Sequence, residues 1–239
     1  MRILFDCTSC TSSILSQTLT MLLKNNCDLT ILYSEAEIYY PTRMEWENGE
    51  VKPRGKRVQG PFEGFRFVVK PPCLQADDVG ERPVLLVMYP TFNTERTDGV
   101  LAYIDPAERI WIFGEPHDLV KNSYRIEMAK AFASPIIYPG DKWSLSSTFD
   151  YKSSMLILGG IYHSYRTNYR IVIMPHGSKM QTLATNLFAF SHQVSIVFAM
   201  PKSYNPDKYS QGSIEVWASH FGLTDQLVER LRSARVIRS

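Results

Sequence analysis

Apolar residues along the chain change between two spacings, and each change marks the border of a predicted strand or helix. Residues 2–6 read RILFD and predict a short buried strand. From residue 13 onward the apolar positions recur at helical spacing as far as residue 23, and residues 29–33 predict a second strand. A strand, a helix and a strand in this order predict a right-handed crossover, and therefore a parallel pair of strands.

The same rhythm returns after residue 83. Residues 84–89 and 109–113 are apolar runs, as expected of parallel strands that are covered on both faces, and residues 94–103 between them predict a helix. The pattern predicts these further elements: helices at residues 117–131 and 150–162, strands at 136–138, 171–174, 194–199 and 214–217, and a last helix that Thr224 would cap.

Residues 35–83 interrupt this rhythm. Proline and glycine recur there among alternating charges, which predicts an irregular or hairpin segment inserted between regular elements. The whole chain is therefore predicted to be an α/β protein: a single Rossmann-like domain over residues 1–239, with an insertion at about 35–83. Its sheet would be mostly parallel, with helices on both faces.

Composition narrows the class of protein. The 239 residues are 44% hydrophobic and 21% charged, which is typical of a soluble globular domain, and the net charge of +2 excludes a strong overall attraction to nucleic acid. No apolar run approaches the roughly 20 residues that span a bilayer, and the amino terminus does not resemble a signal peptide. Four cysteines in a chain of this length do not suggest a disulfide framework. We therefore expect a cytoplasmic protein without a membrane partner.

The main candidate site follows the strand at residues 171–174. His176, Gly177, Ser178 and Lys179 lie in a turn, and a helical pattern begins immediately afterwards. Gly177 would allow the backbone to approach a ligand, Ser178 would cap the helix and donate to an oxygen, and Lys179 would add a positive charge. Such a turn favours an anion at a helix amino terminus. The alternative is a tight turn in which Ser178 is only a cap and Lys179 is solvated.

Two other loops would meet the same edge of a parallel sheet. Thr8 and Ser9 follow the first strand, and Lys202 and Tyr204 combine a positive charge with an aromatic ring, which suits a nucleotide. A third pair at a strand end, Glu115 with His117, could act as an acid and a base, although an acidic residue there also suits a helix amino terminus.

Redox, metal and cofactor chemistry find less support. Cys7 and Cys10 have the Cys-x-x-Cys spacing of thioredoxin-like sites, but the charge of Asp6 would oppose a thiolate. Cys27 and Cys73 lack the paired spacing of a zinc site. A metal-binding His/Glu pair on one helix and a complete dinucleotide fingerprint are absent from the sequence, so neither a metal nor a cofactor is expected.

A strand that ends in a Gly-Ser-Lys turn before a helix resembles the signature loop of the CRISPR-associated Rossmann-fold (CARF) family. The first strand with its hydroxyl-rich loop, FDCTSCTSS, is similar to the first loop of such domains. CARF domains and the related SAVED domains bind cyclic or linear oligonucleotide messengers in antiviral defence and switch an effector. The resemblance implies that Thr8, Ser9, Gly177, Ser178 and Lys179 contact such a ligand. It also implies an effector protein as partner and a homodimer. This chain departs from the family pattern in having Pro-His before the Gly.

Three hypotheses follow. The first is a ligand-sensing or regulatory subunit of a prokaryotic antiviral defence system that binds a nucleotide-like anion and has no catalytic residues. The second is a phosphodiesterase, similar to ring nucleases, in which Lys179 stabilises charge and His176 or Ser178 handles protons. The third is a scaffold subunit of a multiprotein complex, which would carry a large apolar patch on its surface.

Overall fold

The computed structural model describes residues 1–51, 62–76 and 81–236. The strands are β1 Arg2–Asp6, β2 Asp28–Glu35, β3 Ile38–Tyr39, β4 Phe62–Glu63, β5 Phe67–Val69, β6 Val84–Tyr89, β7 Glu108–Glu115, β8 Lys142–Ser147, β9 Arg170–Pro175, β10 Ser195–Ile196, β11 Phe198–Met200, β12 Ser203–Tyr204, β13 Ser210–Gln211 and β14 Glu215–Leu223. The helices are α1 Ser12–Lys24, α2 Arg43–Glu47, α3 Thr94–Ile104, α4 Leu119–Asn122, α5 Tyr124–Ala133, α6 Tyr151–Tyr165, α7 Lys179–Ser191 and α8 Thr224–Val236. Two short 3-10 helices lie at Pro72–Leu74 and Pro206–Lys208.

A five-stranded parallel sheet forms the centre, in the order β10-β9-β6-β7-β8. Side chains of β6 alternate between its faces, because successive residues of a strand point in opposite directions. Leu85 and Val87 pack with residues of α6 and α7, whereas Leu86 and Met88 pack with residues of α3 and α5. The prediction of an α/β fold with a parallel sheet and helices on both faces is therefore confirmed, and the arrangement is consistent with a Rossmann-like fold.

A second, three-stranded sheet has the order β1-β2-β14. The parallel pairing of β1 with β2 was predicted from the crossover pattern and is confirmed. β14 joins β2 in the antiparallel direction. Thr224 begins α8, but its hydroxyl accepts from the Cys27 N–H (3.0 Å) and donates to the Asn25 carbonyl (2.7 Å). The hydroxyl thus ties α8 to the turn before β2.

Helix α7 lies between the two sheets. Its Met180, Leu183 and Leu187 pack with α1, β1 and β2, whereas Phe188 packs against the parallel sheet. A helix that is covered all round must pair its polar groups internally. Accordingly, the Asn186 side-chain amide donates to Ser16 Oγ on α1 at 2.7 Å and to the Thr182 carbonyl within α7.

In the described parts of the segment predicted as an insertion, residues 35–83, there are three short strands. β3, β4 and β5 pair antiparallel with β13, β12 and β11, so they pair with residues 198–211 and not with one another. Residues 52–61 and 77–80 of this segment lie outside the described part of the chain. The insertion itself therefore stays a prediction.

Two predicted strands were wrong in detail. Residues 136–138 are not a strand, and the edge strand is β8, which reads KWSLSS. Its exposed, half-polar sequence lacks the continuous apolar run of a central strand. The single strand predicted at 194–199 is divided: β10 pairs with β9, and after Val197 the chain pairs with β5 as β11.

Within the three described ranges, no helix has both the length and the apolar character that crossing a bilayer requires.

Candidate functional site

Six strands from the two sheets direct their carboxyl ends toward one cavity of about 700 Å³. In parallel sheets this edge is where ligands usually bind. One residue from the end of each strand illustrates the convergence: Thr8 after β1, Glu35 at the end of β2, Pro90 after β6, Pro116 after β7, Thr148 after β8 and His176 after β9.

Six of the eight residues that were predicted to bind a ligand line the cavity: Thr8, His176, Gly177, Ser178, Lys179 and Lys202. Ser9 and Tyr204 are not in its lining. Ser9 is exposed in the turn after β1, and Tyr204 is 55% exposed on β12. The cavity thus gathers residues from all three predicted loops and leaves out one predicted residue in each of two of them, and their role in binding stays a prediction.

Lys179 is the buried positive charge of the cavity. It is the first residue of α7, and only 8% of it is exposed. Its Nζ donates to the Tyr209 hydroxyl at 2.8 Å, and within the described ranges no carboxylate forms an ion pair with it. Because a buried charge is costly unless it is paired, an anion in the cavity would find a cation that is not already neutralised.

The start of α7 adds hydrogen-bond donors at the same place. The backbone N–H groups of Lys179 and Met180 find no acceptor among the described residues. The N–H groups at a helix amino terminus carry a partial positive charge, so they attract an anion.

Gly177 and Ser178 serve the helix itself. Ser178 Oγ accepts from the Gln181 N–H (3.1 Å) and donates to the Thr148 carbonyl, and the Ser178 N–H donates to Gln181 Oε1 (2.9 Å). A Cβ on Gly177 would lie 2.0 Å from Gln181 Oε1. A side chain at this position would therefore meet the Gln181 side chain, whereas the expectation that Gly177 lets the backbone approach a ligand stays a prediction.

His176 is also committed to the fold. Its Nε2 accepts from the Ala199 N–H at 3.0 Å, and its Nδ1 is buried without a partner among the described residues. Burial, and then the positive charge of Arg96, hold the pKa of His176 well below its ordinary value. The ring is therefore neutral at neutral pH, with its proton on Nδ1, because Nε2 is the acceptor.

Arg96 is the second buried cation near this edge. Its Nε and Nη2 donate to the Ala199 carbonyl at 3.0 and 2.9 Å. Burial lowers the pKa of this guanidinium to about 10, so Arg96 stays charged at neutral pH. Ala199 thus holds His176 through its N–H and Arg96 through its carbonyl.

Sequence reasoning missed the wall that β2 contributes. Tyr33 and Glu35 line the cavity, and Tyr33 Oη lies 3.0 Å from the hydroxyl of Tyr39. Burial raises the pKa of the Glu35 carboxyl, and the charge of His117 opposes that shift. For Tyr33 and Glu35, the signal in the sequence that could have pointed to the cavity was the position of Glu35 just after an apolar strand.

No hydrogen bond or ion pair joins Glu115 to His117, so their proposed pairing finds no geometric support.

Aromatic rings continue this wall. Phe149 packs against Trp217, with ring centroids 4.4 Å apart, and against His117 at 5.1 Å. Both Phe149 and His117 line the cavity. Flat apolar rings of this kind can stack with a nucleobase.

The Cys-x-x-Cys alternative is not favoured. Cys7 is buried, and burial raises the pKa of its thiol to about 12. Burial also raises the pKa of Cys10. A reactive thiol needs the opposite shift. Among the described residues, no group of three or more His, Cys, Asp or Glu side chains is placed to hold a metal ion.

A scan against models of known protein families and a search of curated proteins both found no match. The cavity is thus the feature from which a function can be inferred.

Proposed function

We propose that this protein is a ligand-sensing or regulatory subunit of a prokaryotic antiviral defence system, acting in the cytoplasm, that binds a nucleotide-like anion in the cavity. The observation that carries the proposal is Lys179, a buried ammonium at the start of α7 with no described carboxylate to neutralise it. A phosphate beside Lys179 would also accept from the first N–H groups of the helix.

The rest of the cavity suits the other parts of a nucleotide. Phe149 and Tyr33 offer apolar rings for a base, and Lys202 supplies a second positive charge. Pockets that bind small molecules are usually apolar clefts with a few polar groups in fixed positions. The CARF resemblance supports the same ligand class and adds an effector protein, or a second copy of the chain, as the partner that reads the bound state.

Binding without cleavage is favoured over the phosphodiesterase hypothesis. The Ser178 hydroxyl caps α7 and donates to Thr148, so it is not free to attack or to transfer a proton. His176 uses Nε2 for a backbone N–H, and its Nδ1 is shielded from solvent. A general acid or base must reach the proton that it transfers.

Isothermal titration calorimetry with a panel of linear and cyclic oligonucleotides and mononucleotides tests the proposal. We expect one panel member to bind the wild type and to lose at least tenfold in affinity with Lys179→Ala, because a charge-assisted contact to phosphate disappears. Lys152→Ala is the matched control, since Lys152 is exposed on α6 outside the cavity. Absence of binding by every member, or equal loss in both variants, would overturn the proposal. Accumulation of a cleaved product would favour the phosphodiesterase.

A further inference from the structure

We propose that the ligand is a single nucleotide or a linear dinucleotide held within one chain, with its phosphate at Lys179 and a hydrogen-bond donor of its sugar or base on Glu35. This inference rests on the proposed function and deepens it. It gives the ligand a size, a direction and a second contact.

The volume of the cavity limits the size of the ligand. The cavity has a volume of about 700 Å³, and pockets of about 300–1,000 Å³ hold one drug-sized molecule. A nucleoside monophosphate has about 23 non-hydrogen atoms, and a linear dinucleotide about twice that number, so both are within the range of such pockets. A ring of four nucleotides has about 90 and exceeds it.

The walls of the cavity come from one chain. Thr8 and Glu35 belong to the three-stranded sheet, whereas Thr148 and His176 follow strands of the parallel sheet. The two sheets face each other across the start of α7, and the segment that carries Tyr209 covers Lys179. One chain therefore offers a small ligand a phosphate contact at Lys179 and further contacts from both sheets.

Glu35 is suited to accept a hydrogen bond from the ligand. It lies at the carboxyl end of β2, where it is partly buried, and its carboxylate receives no hydrogen bond from the described residues. A carboxylate is an acceptor only, so its partner in a ligand must be an O–H or N–H group. A ribose hydroxyl and a base amino group both supply one. In dinucleotide-binding folds an acidic residue after a strand takes the ribose hydroxyl, which shows that this chemistry suits such a position.

Different tyrosines lie beside the two proposed contacts of the ligand. Tyr209 contacts Lys179 directly. Tyr33 lies two residues before Glu35 on the same face of β2, and its hydroxyl lies 3.0 Å from that of Tyr39, so these tyrosines belong to the Glu35 side of the cavity. This separation matters because a phosphate beside Glu35 would be repelled. It gives the ligand one direction, with phosphate toward α7 and its donor group toward β2.

Calorimetry with the four ribonucleoside monophosphates, a linear diadenylate and cyclic tetraadenylate tests the inference, with stoichiometry as a second readout. We expect a mononucleotide or the dinucleotide to bind once per chain, and cyclic tetraadenylate neither to bind nor to displace it. For the tightest nucleotide, Glu35→Gln should weaken binding about tenfold, because a hydrogen bond to a charged acceptor is lost. Glu229→Gln, on the exposed surface of α8, is the control and should leave affinity unchanged.

The outcomes separate this inference from the proposed function. If only cyclic tetraadenylate binds, and one ring binds per two chains, the inference fails while the proposed function stands. If no nucleotide binds, both fail. If a mononucleotide binds Glu35→Gln as tightly as the wild type, Glu35 is not the contact. If it does weaken, the 2′-deoxy and deaminated analogues of the same nucleotide show which donor Glu35 accepts: the analogue that has lost that donor binds the wild type and Glu35→Gln equally.

Discussion

Acid should destabilise this protein through one residue, His176. In the folded chain the ring is buried, its Nε2 accepts from the Ala199 N–H, and its pKa lies well below the ordinary value because of burial and the charge of Arg96. In the unfolded chain the pKa of the same ring is about 6.5. Folding therefore requires a neutral ring, whereas acid favours the charged one.

The sign and size follow from proton linkage. Between the two pKa values the unfolded chain binds one more proton than the folded chain, so the free energy of unfolding rises with pH in that window and falls as the solution is acidified. Each pH unit is worth about 1.4 kcal/mol for one proton. Acidification through the window between the two pKa values should thus remove up to about 1.4 kcal/mol per pH unit through His176 alone.

Urea unfolding across this range, in wild type and in His176→Gln, measures the effect. Glutamine places Oε1 near the position of Nε2, so it can accept from the Ala199 N–H, and it does not titrate. The variant should have a free energy of unfolding about 1–2 kcal/mol lower than wild type at neutral pH, because its hydrogen bond is less well fitted. On acidification its free energy of unfolding should fall less steeply than that of the wild type, by up to about 1.4 kcal/mol per pH unit. His163→Gln, at an exposed site on α6, should behave as wild type. Parallel pH curves for wild type and His176→Gln would refute the reasoning.

Three further predictions concern single side chains. Gly177→Ala should lower the free energy of unfolding by about 1–3 kcal/mol, because the new Cβ meets Gln181. In Gly160→Ala the Cβ meets nothing within 4 Å, so this variant should raise the free energy of unfolding by up to about 1 kcal/mol. Chemical denaturation that gives the same sign for both variants would contradict this. A thiol reagent should modify exposed Cys73 at once and buried Cys7, with its pKa raised to about 12, only on unfolding; equal labelling rates by mass spectrometry would be inconsistent. Lys179→Met should keep or raise the melting temperature without ligand, since it removes a buried charge but keeps the stem, and a clear decrease would argue against a costly ammonium.

The elements that the sequence predicted best are those with an unambiguous pattern. Residues 84–89 form β6 as expected because the strand is buried on both faces, so every residue is apolar. Strand β8 was missed because it lies at the sheet edge, where Trp143 is 55% exposed and the Lys130 ammonium lies 3.8 Å from its ring centre. A half-polar edge strand has no pattern that distinguishes it from a loop.

The candidate site was predictable in part for a related reason. Because parallel strands share a carboxyl edge, the loops after β1 and β9 could be assigned to one site without knowledge of the sheet order. The function of Gly177 could not, since it depends on how the Gln181 side chain folds back over the turn. Tyr33 and Glu35 were missed because nothing in the sequence shows that β1 and β2 form a separate sheet that faces the other across α7.

In the proposed function, that second sheet would supply a means of regulation that needs no catalysis. A ligand at the start of α7 would touch Thr8 and Glu35 on one sheet and the loops of Thr148 and His176 on the other. Anything that binds the folded arrangement and not an opened one stabilises it, by about 2.7 kcal/mol at a hundred times the dissociation constant. Helix α7 is buried between the sheets, so the ligand and the packing of the two sheets are coupled through it. A partner that recognises the packed sheets would therefore respond to the ligand without contacting it.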